Sequence, residues 1–202
     1  HSEKVFNMKR LLLVLILTLS FQSWTKADDI KDLQIEGMSI GDSLLDYFSE
    51  EEIKKSKQDF QYPKDEYILY NFSSTMKLDK YDLLMIAIKK NDVKFIISGV
   101  TGGIKYDNLS NCLKLKKDFG KDVDNLFNNI NNKEFKYTPE ADKSGKSMIY
   151  ENFYSLETGD VVTAQCMDWD KKFSKKKDLA KVFQVALNSV SYYDFVQYRA
   201  FK

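Results

Sequence analysis

The sequence predicts an α+β fold, in which a mainly antiparallel sheet of five or six strands carries helices packed on one face. The predicted elements run in the order helix, three strands, helix, two or three strands, helix. The strands follow one another at short intervals, which favours antiparallel hairpins over helical crossovers. One cysteine falls on a predicted helix and the other on a predicted strand, so the prediction includes one helix–sheet disulfide.

The first half of the chain begins with one or two short helices between residues 43 and 57. Ser43 with Asp46, and Ser49 with Glu52, have the spacing of a capping box. Segments rich in Ile, Leu, Tyr and Phe follow, separated by short polar turns as strands of hairpins are. These predicted strands are 67–72, 81–89 and 93–99, the last continuing towards residue 106.

A change of hydrophobic period predicts a long helix between residues 108 and 130. Its apolar residues recur every three or four positions, as one face of a helix requires. They are Cys112, Leu115, Phe119, Val123, Leu126 and Ile130. A polar loop, 131–145, is expected to follow this helix.

The last part of the chain predicts further strands and a terminal helix. The predicted strands are 148–156, 160–169 and, as the third candidate, 182–187. The first two are joined by Glu157-Thr158-Gly159, a sequence typical of a hairpin turn. Ser191 is expected to cap the final helix, whose apolar face is expected to carry Phe195, Tyr198 and Phe201.

The N-terminal region has the pattern of a signal peptide. Met8-Lys9-Arg10 is basic, Leu11–Leu19 is almost wholly apolar, and small residues precede a cleavage point after Ala27. This nine-residue segment is too short for a membrane span, which takes about 20 residues, so cleavage is favoured over an uncleaved anchor. The expected division is a non-native or over-extended segment 1–7, a signal peptide 8–27 and a single α+β domain 28–202. This predicts a periplasmic or secreted protein with no membrane anchor after cleavage.

Composition excludes several classes of function for the expected mature chain. Residues 1–27 carry four basic side chains and one acidic, so their removal changes the formal net charge from +1 to −2. A near-neutral chain with Arg199 as its one arginine has no electrostatic basis for nucleic-acid binding. The one histidine, His1, precedes the expected mature chain, which excludes Ser-His-Asp and Cys-His catalysis and imidazole metal sites. No cofactor and no metal are therefore expected.

The two cysteines are expected to face each other. Cys112 lies on the apolar face of the long helix, and Cys166 lies in step with Val162 and Ala164 on a strand. Both should point into the helix–sheet interface, where cysteines of an exported protein usually pair. Two buried free thiols are the alternative.

Asp168 and Asp170 are the weak candidates for catalysis. Alternation along a strand sends both carboxylates to the same side, where they could share a proton or hold calcium. The alternative is a strand end that meets solvent before Lys171 and Lys172. A second motif, Ser144–Ser147, reads Ser-Gly-Lys-Ser but has Glu140 where a phosphate-binding loop needs glycine, so it is interpreted as a solvated turn.

Aromatic residues are frequent in the second half of the chain. Tyr150, Tyr154 and Trp169 are the weak candidates for a binding surface, because exposed rings can stack on sugars or peptides. The alternative is that these rings belong to the core.

Several segments carry a resemblance to a known group: 35–46, Cys112, 141–147 and 165–169. They are similar to small exported proteins of AT-rich marine alphaproteobacteria, a group with no assigned function. The resemblance covers most of the mature chain and implies a bacterial periplasmic setting and paired cysteines, but no activity. The leading hypothesis is a non-enzymatic module that binds a protein or small-molecule partner. The alternative is a periplasmic hydrolase built on carboxylates.

Overall fold

The computed structural model describes residues 29–127 and 130–202, and the predicted signal peptide lies outside them. Within this part of the chain the fold is α+β, as predicted, with one seven-stranded sheet and four α-helices. The helices are α1 (Glu50–Lys55), α2 (Leu109–Leu126), α3 (Lys171–Lys177) and α4 (Val190–Tyr198). The strands are β1 (Tyr67–Asn71), β2 (Leu83–Lys89), β3 (Ile97–Lys105), β4 (Asn131–Tyr137), β5 (Met148–Ser155), β6 (Val161–Asp168) and β7 (Val182–Asn188).

The sheet consists of two meanders joined side by side. Its strand order is β1-β2-β3-β7-β6-β5-β4, and every neighbouring pair is antiparallel. The strands β1 to β3 form the first meander and β4 to β7 the second. Helix α2 carries the chain from β3 to the far edge at β4, and the second meander then returns until β7 pairs with β3.

The predicted strand count of five or six was wrong, because the described residues form seven strands. The additional strand is β4, in the segment 131–145 that was expected to be a loop. All seven of its residues are exposed, so it lacks the apolar alternation of a half-buried strand. Backbone pairing with β5 holds it in place, from Asn131 opposite Ser155 to Tyr137 opposite Ile149.

One face of the sheet carries the main core and is called the disulfide face. Buried apolar side chains from the strands lie on it, including Ile86, Val100, Val162, Ala164, Val185 and Leu187. Helix α2 and the segment from Ile30 to Ile53 cover these side chains. Cys112 and Cys166 form the predicted disulfide across this interface, with their Cα atoms 5.9 Å apart.

The prediction that the helices pack on one face was also wrong, because α4 lies on the opposite face. Tyr192 and Phe195 of α4 are buried there against Tyr67 and Ala87. Gly99 allows this contact, since a Cβ atom at that position would lie 2.4 Å from the Tyr192 ring. The face opposite the disulfide face is called the open face.

The ends of α4 also differ from the prediction. Ser189, and not Ser191, is the N-cap, and its hydroxyl accepts a hydrogen bond from the Tyr192 N–H. Phe195 is buried as expected, whereas Tyr198 and Phe201 are 61% and 64% exposed. The helix ends at Tyr198, and the side that it buries carries Tyr192 and Phe195.

Candidate ligand-binding groove

The open face presents polar side chains in register across the centre of the sheet. Glu151 on β5 lies opposite Gln165 on β6, which in turn lies opposite Gln184 on β7. The next row places Thr163 opposite Ala186, and Ala186 opposite Thr101. These residues alternate with the buried residues of the disulfide face, because side chains along a strand point to opposite faces.

Helix α4 and the β4–β5 hairpin bound a cleft of about 580 Å³ on this face. Phe153 lies between two other rings, with its centroid 6.3 Å from that of Phe135 and 5.8 Å from that of Tyr193. The rings that line the cleft are Tyr62, Phe135, Tyr137, Phe153, Tyr192 and Tyr193. Phe135 and Tyr137 are 45% and 41% exposed, so the β4 side of the cleft is accessible.

A second cleft, of about 550 Å³, adjoins the first on the same face. Met85, Thr101 and Gln184 line both clefts, so together they form one groove along the open face. Trp169 and Leu179 line its second end. The Trp169 ring is supported by Phe173 of α3, with the ring centroids 5.8 Å apart.

The floor of the groove offers hydrogen-bonding groups that the described part of the chain leaves unused. The side chains of Gln165, Gln184, Thr101 and Thr163 have no hydrogen-bond partner there. Amides and hydroxyls both donate and accept, so this floor can recognise a ligand that also does both.

Glu151 is the buried acid of the floor, at 8% exposure. Its carboxylate accepts a hydrogen bond of 2.9 Å from the Tyr137 hydroxyl. Burial, together with the nearby charge of Glu151, raises the pKa of Tyr137. The phenol therefore stays protonated and continues to donate to the carboxylate throughout the neutral range.

The structure does not bring the candidate catalytic residues Asp168 and Asp170 together in the groove. The Asp168 carboxylate forms an ion pair with the ammonium of Lys181. Asp170 is the N-cap of α3, and its carboxylate accepts from the N–H groups of Lys172 and Phe173 at 3.0 and 3.1 Å. Each carboxylate thus has a structural partner of its own.

The three candidate aromatic residues lie in different places. Tyr154 is 2% exposed beneath α2, in the core of the disulfide face. Tyr150 is half-buried, with the Lys136 ammonium 5.2 Å from its ring centroid. Of the three, Trp169 lines the groove.

Sequence reasoning did not select the polar floor of the groove. The available signal was the alternation of side chains along one strand. Thr163, Gln165 and Met167 alternate there with the apolar Val162 and Ala164. Polar residues in that pattern also occur on an ordinary solvated face. Cross-strand register and the position of α4 were needed to show that they line a groove.

No protein-family model matches the chain, and comparison with curated proteins and with solved structures found no similar chain. Within 29–127 and 130–202, no helix is both long and apolar enough to cross a membrane. The same residues contain no group of three or more His, Cys, Asp or Glu side chains arranged to hold a metal ion.

Proposed function

We propose that this protein is a non-enzymatic binding module that acts outside the cytoplasm and holds its ligand in the groove of the open face. The observation that carries the proposal is the row Glu151, Gln165 and Gln184 on the floor, between walls that carry aromatic rings. Its two amides form no side-chain hydrogen bond within the described part of the chain. Binding sites commonly combine apolar walls with a few convergent polar groups.

The chemistry of the groove favours an uncharged, hydroxyl-rich ligand such as an oligosaccharide. Amide and hydroxyl groups of the floor complement sugar hydroxyls, which also donate and accept. The rings of Tyr193 and Trp169 offer flat apolar area for the less polar faces of sugar rings. Clefts of about 580 and 550 Å³ lie within the range of about 300–1,000 Å³ usual for small-ligand sites.

The proposed extracytoplasmic setting is supported by the disulfide. Cys112 and Cys166 are paired, and such bonds persist mainly in oxidising compartments. The signal-peptide pattern of 8–27 and the resemblance to exported alphaproteobacterial proteins point the same way. In this proposal the mature protein begins near Asp28 and is periplasmic or secreted.

The alternative of a carboxylate hydrolase finds less support in the geometry. Asp168 pairs with Lys181 and Asp170 caps α3, so each carboxylate is engaged by a separate partner. A pair that shares a proton needs two carboxyl groups close together and otherwise unpaired.

The proposal predicts that soluble oligosaccharides stabilise the protein against heat. Cello-, chito- and malto-oligosaccharides would be titrated into the protein and the melting temperature followed, since a ligand of the native state raises it. Gln165→Ala or Gln184→Ala should weaken binding by about tenfold, because each removes a hydrogen-bonding group that the ligand needs. Gln34→Ala, a change of an exposed glutamine away from the groove, is the matched control. Binding that survives both groove substitutions, or no stabilisation by any of the three series, would contradict the proposal.

A further inference from the structure

A second, separate pocket lies beneath α2, on the disulfide face. It has a volume of about 370 Å³ and opens between α2 and the strands β4 and β5. Residues of α2, including Leu113, Lys116 and Gly120, form one side, and Asn152 and Tyr154 of β5 form the other. Lys133 lines both this pocket and the groove proposed above, and the other lining residues of the two sites are different.

Lys116 places a buried cation in this pocket. Its side chain is 11% exposed, and its ammonium donates a hydrogen bond to the Oδ1 atom of Asn152. The nearest carboxylate oxygen belongs to Glu134, at 3.8 Å, and that side chain is 80% exposed. A neutral amide and one carboxylate that is largely solvated compensate only in part for the lost hydration of a buried charge.

A series of hydrogen bonds continues from Lys116 into the core. Asn152 is 7% exposed and donates from Nδ2 to the hydroxyl oxygen of Tyr154 at 3.1 Å. That hydroxyl therefore accepts one bond, and its own proton has no acceptor among the described residues. An ammonium has three protons and no acceptor, so Lys116 and Tyr154 together leave donors in surplus.

The charges around the opening add to this imbalance. The lining residues comprise four lysines and two acids, Lys116, Lys117, Lys121, Lys133, Asp124 and Glu134. The Lys121 ammonium lies 3.5 Å from the carboxylate of Asp118, which is outside the lining, and the three remaining lysines outnumber the two acids by one. A site with surplus donors and positive potential favours an anion.

We propose that this pocket binds a small organic carboxylate. A point-charge ammonium and one hydroxyl supply the two donors that a single carboxylate group takes, and charge-assisted hydrogen bonds of this kind are strong. The lining contains no arginine, the residue that matches phosphate with two parallel bonds. Leu113 and the Tyr154 ring provide apolar area for a short aliphatic chain.

The test uses sodium butyrate as the probe, on the whole mature chain, with sodium chloride at equal ionic strength as the reference. Butyrate should raise the melting temperature saturably in the wild type. Lys116→Met should abolish this effect, a loss of more than tenfold in affinity, because the charge-assisted bond disappears. Tyr154→Phe should weaken binding about threefold to tenfold, since it removes one neutral donor.

The control variant is Lys114→Met, which removes an exposed lysine of α2 that does not line the pocket. It should retain butyrate binding within about threefold, because exposed charges contribute little. Lys116→Gln, which keeps a side-chain donor for Asn152 but removes the charge, is a second variant and should lose butyrate binding in the same way. NMR titration of the Leu113 methyl groups gives a second measure of binding that does not depend on stability.

Three results would overturn the proposal. The first is an absence of both stabilisation and methyl shifts at high butyrate concentration. The second is equal butyrate binding by Lys116→Met and the wild type, which would locate the site elsewhere. The third is tighter binding of inorganic phosphate than of butyrate, which would assign the pocket to a different class of anion.

Discussion

Asp142 shows how one carboxylate can organise a loop. The N–H groups of Ser144 and Ser147 donate to it at 3.0 and 2.9 Å, and the Ser147 hydroxyl donates at 2.6 Å. The same hydroxyl accepts from the N–H of Asp170 at 2.9 Å, which ties the loop to the start of α3. The Ser-Gly-Lys-Ser segment therefore wraps around a negative charge. That arrangement suits a structural turn and opposes the binding of a phosphate.

A pH dependence of stability follows from this loop. The hydrogen bond from the Ser147 hydroxyl, with those from the backbone, lowers the pKa of Asp142 from its ordinary value of 3.8 to about 2. A folded-state pKa below the unfolded value means stability that is fully present above about pH 4 and is lost as the pH falls towards 2. Asp142→Asn should remove this contribution, so the stability difference from wild type should be largest above pH 4 and should shrink towards pH 2.

The measurement is urea unfolding of both proteins from pH 2 to pH 7. Glu157→Gln, in an exposed hairpin turn, is the control for the loss of one negative charge. A stability difference for Asp142→Asn that does not change over this range would show that the ionised carboxylate does not hold the loop.

At the scale of elements, α2 differs from its sequence pattern in the residues that it buries. The apolar periodicity selects Leu115 and Phe119, but these are half-buried. The buried positions are Cys112, Lys116, Gly120 and Val123, which form one stripe along the helix. The disulfide explains the difference, because it fixes which side of α2 meets the sheet. Lys116 and Gly120 follow Cys112 at intervals of four residues and are therefore brought inside.

We predict that Gly120→Ala destabilises the protein, although alanine is normally a better helix former than glycine. A Cβ atom there would lie 2.8 Å from the Tyr154 hydroxyl oxygen and 3.1 Å from Asn152 Nδ2. In an exposed helix, replacement of glycine by alanine raises the free energy of unfolding by about 1 kcal/mol. Here we expect a net loss of about 1–3 kcal/mol in the free energy of unfolding, because the buried Tyr154 hydroxyl and the Asn152 amide, which are hydrogen-bonded to each other, would both have to shift.

Urea denaturation of Gly120→Ala gives this free energy directly. Asp118→Ala, on the exposed side of the same helix, should change it by less than about 0.5 kcal/mol. If Gly120→Ala proved more stable than the wild type, α2 would have to lie farther from β5 than the structure places it.

At the scale of the whole molecule, the two faces of the sheet have different roles. The disulfide face is filled by α2 and the segment from Ile30 to Ile53, whereas α4 covers one part of the open face and leaves the groove beside it.

The two edge strands of the sheet, β1 and β4, are also protected in different ways. At β1, the backbone N–H of Gln58 donates to the Leu69 carbonyl, and the Leu69 N–H donates to the side-chain oxygen of Gln61, each at 2.9 Å. At the other edge, β4 carries Lys133 and Lys136. Lysines on an exposed edge discourage the addition of a further strand.

We predict that the disulfide contributes a large part of the free energy of unfolding. It closes a separation of 54 residues, for which the chain-entropy model gives roughly 4 kcal/mol. The double variant Cys112→Ala and Cys166→Ala should lose about this amount in urea denaturation, and reduction of the wild type should give a similar loss. A double variant as stable as the oxidised wild type would contradict the prediction. The two single variants are poor tests, because each leaves a free thiol in the core.

The sequence by itself determined the fold class, the paired cysteines and most of the strands. These depend on local periodicity: Cys166 falls in step with Val162 and Ala164, and that alternation is visible without a structure. It did not predict β4, since an exposed edge strand such as Asn131–Tyr137 depends on backbone pairing with a distant segment and has no pattern of its own. Tertiary structure decided both candidate sites. Cross-strand register aligns Glu151, Gln165 and Gln184 on the open face, and the docking of α2 brings Lys116 over Asn152. Such contacts join residues far apart in the chain, whereas periodicity reports only which side of its own element a residue occupies.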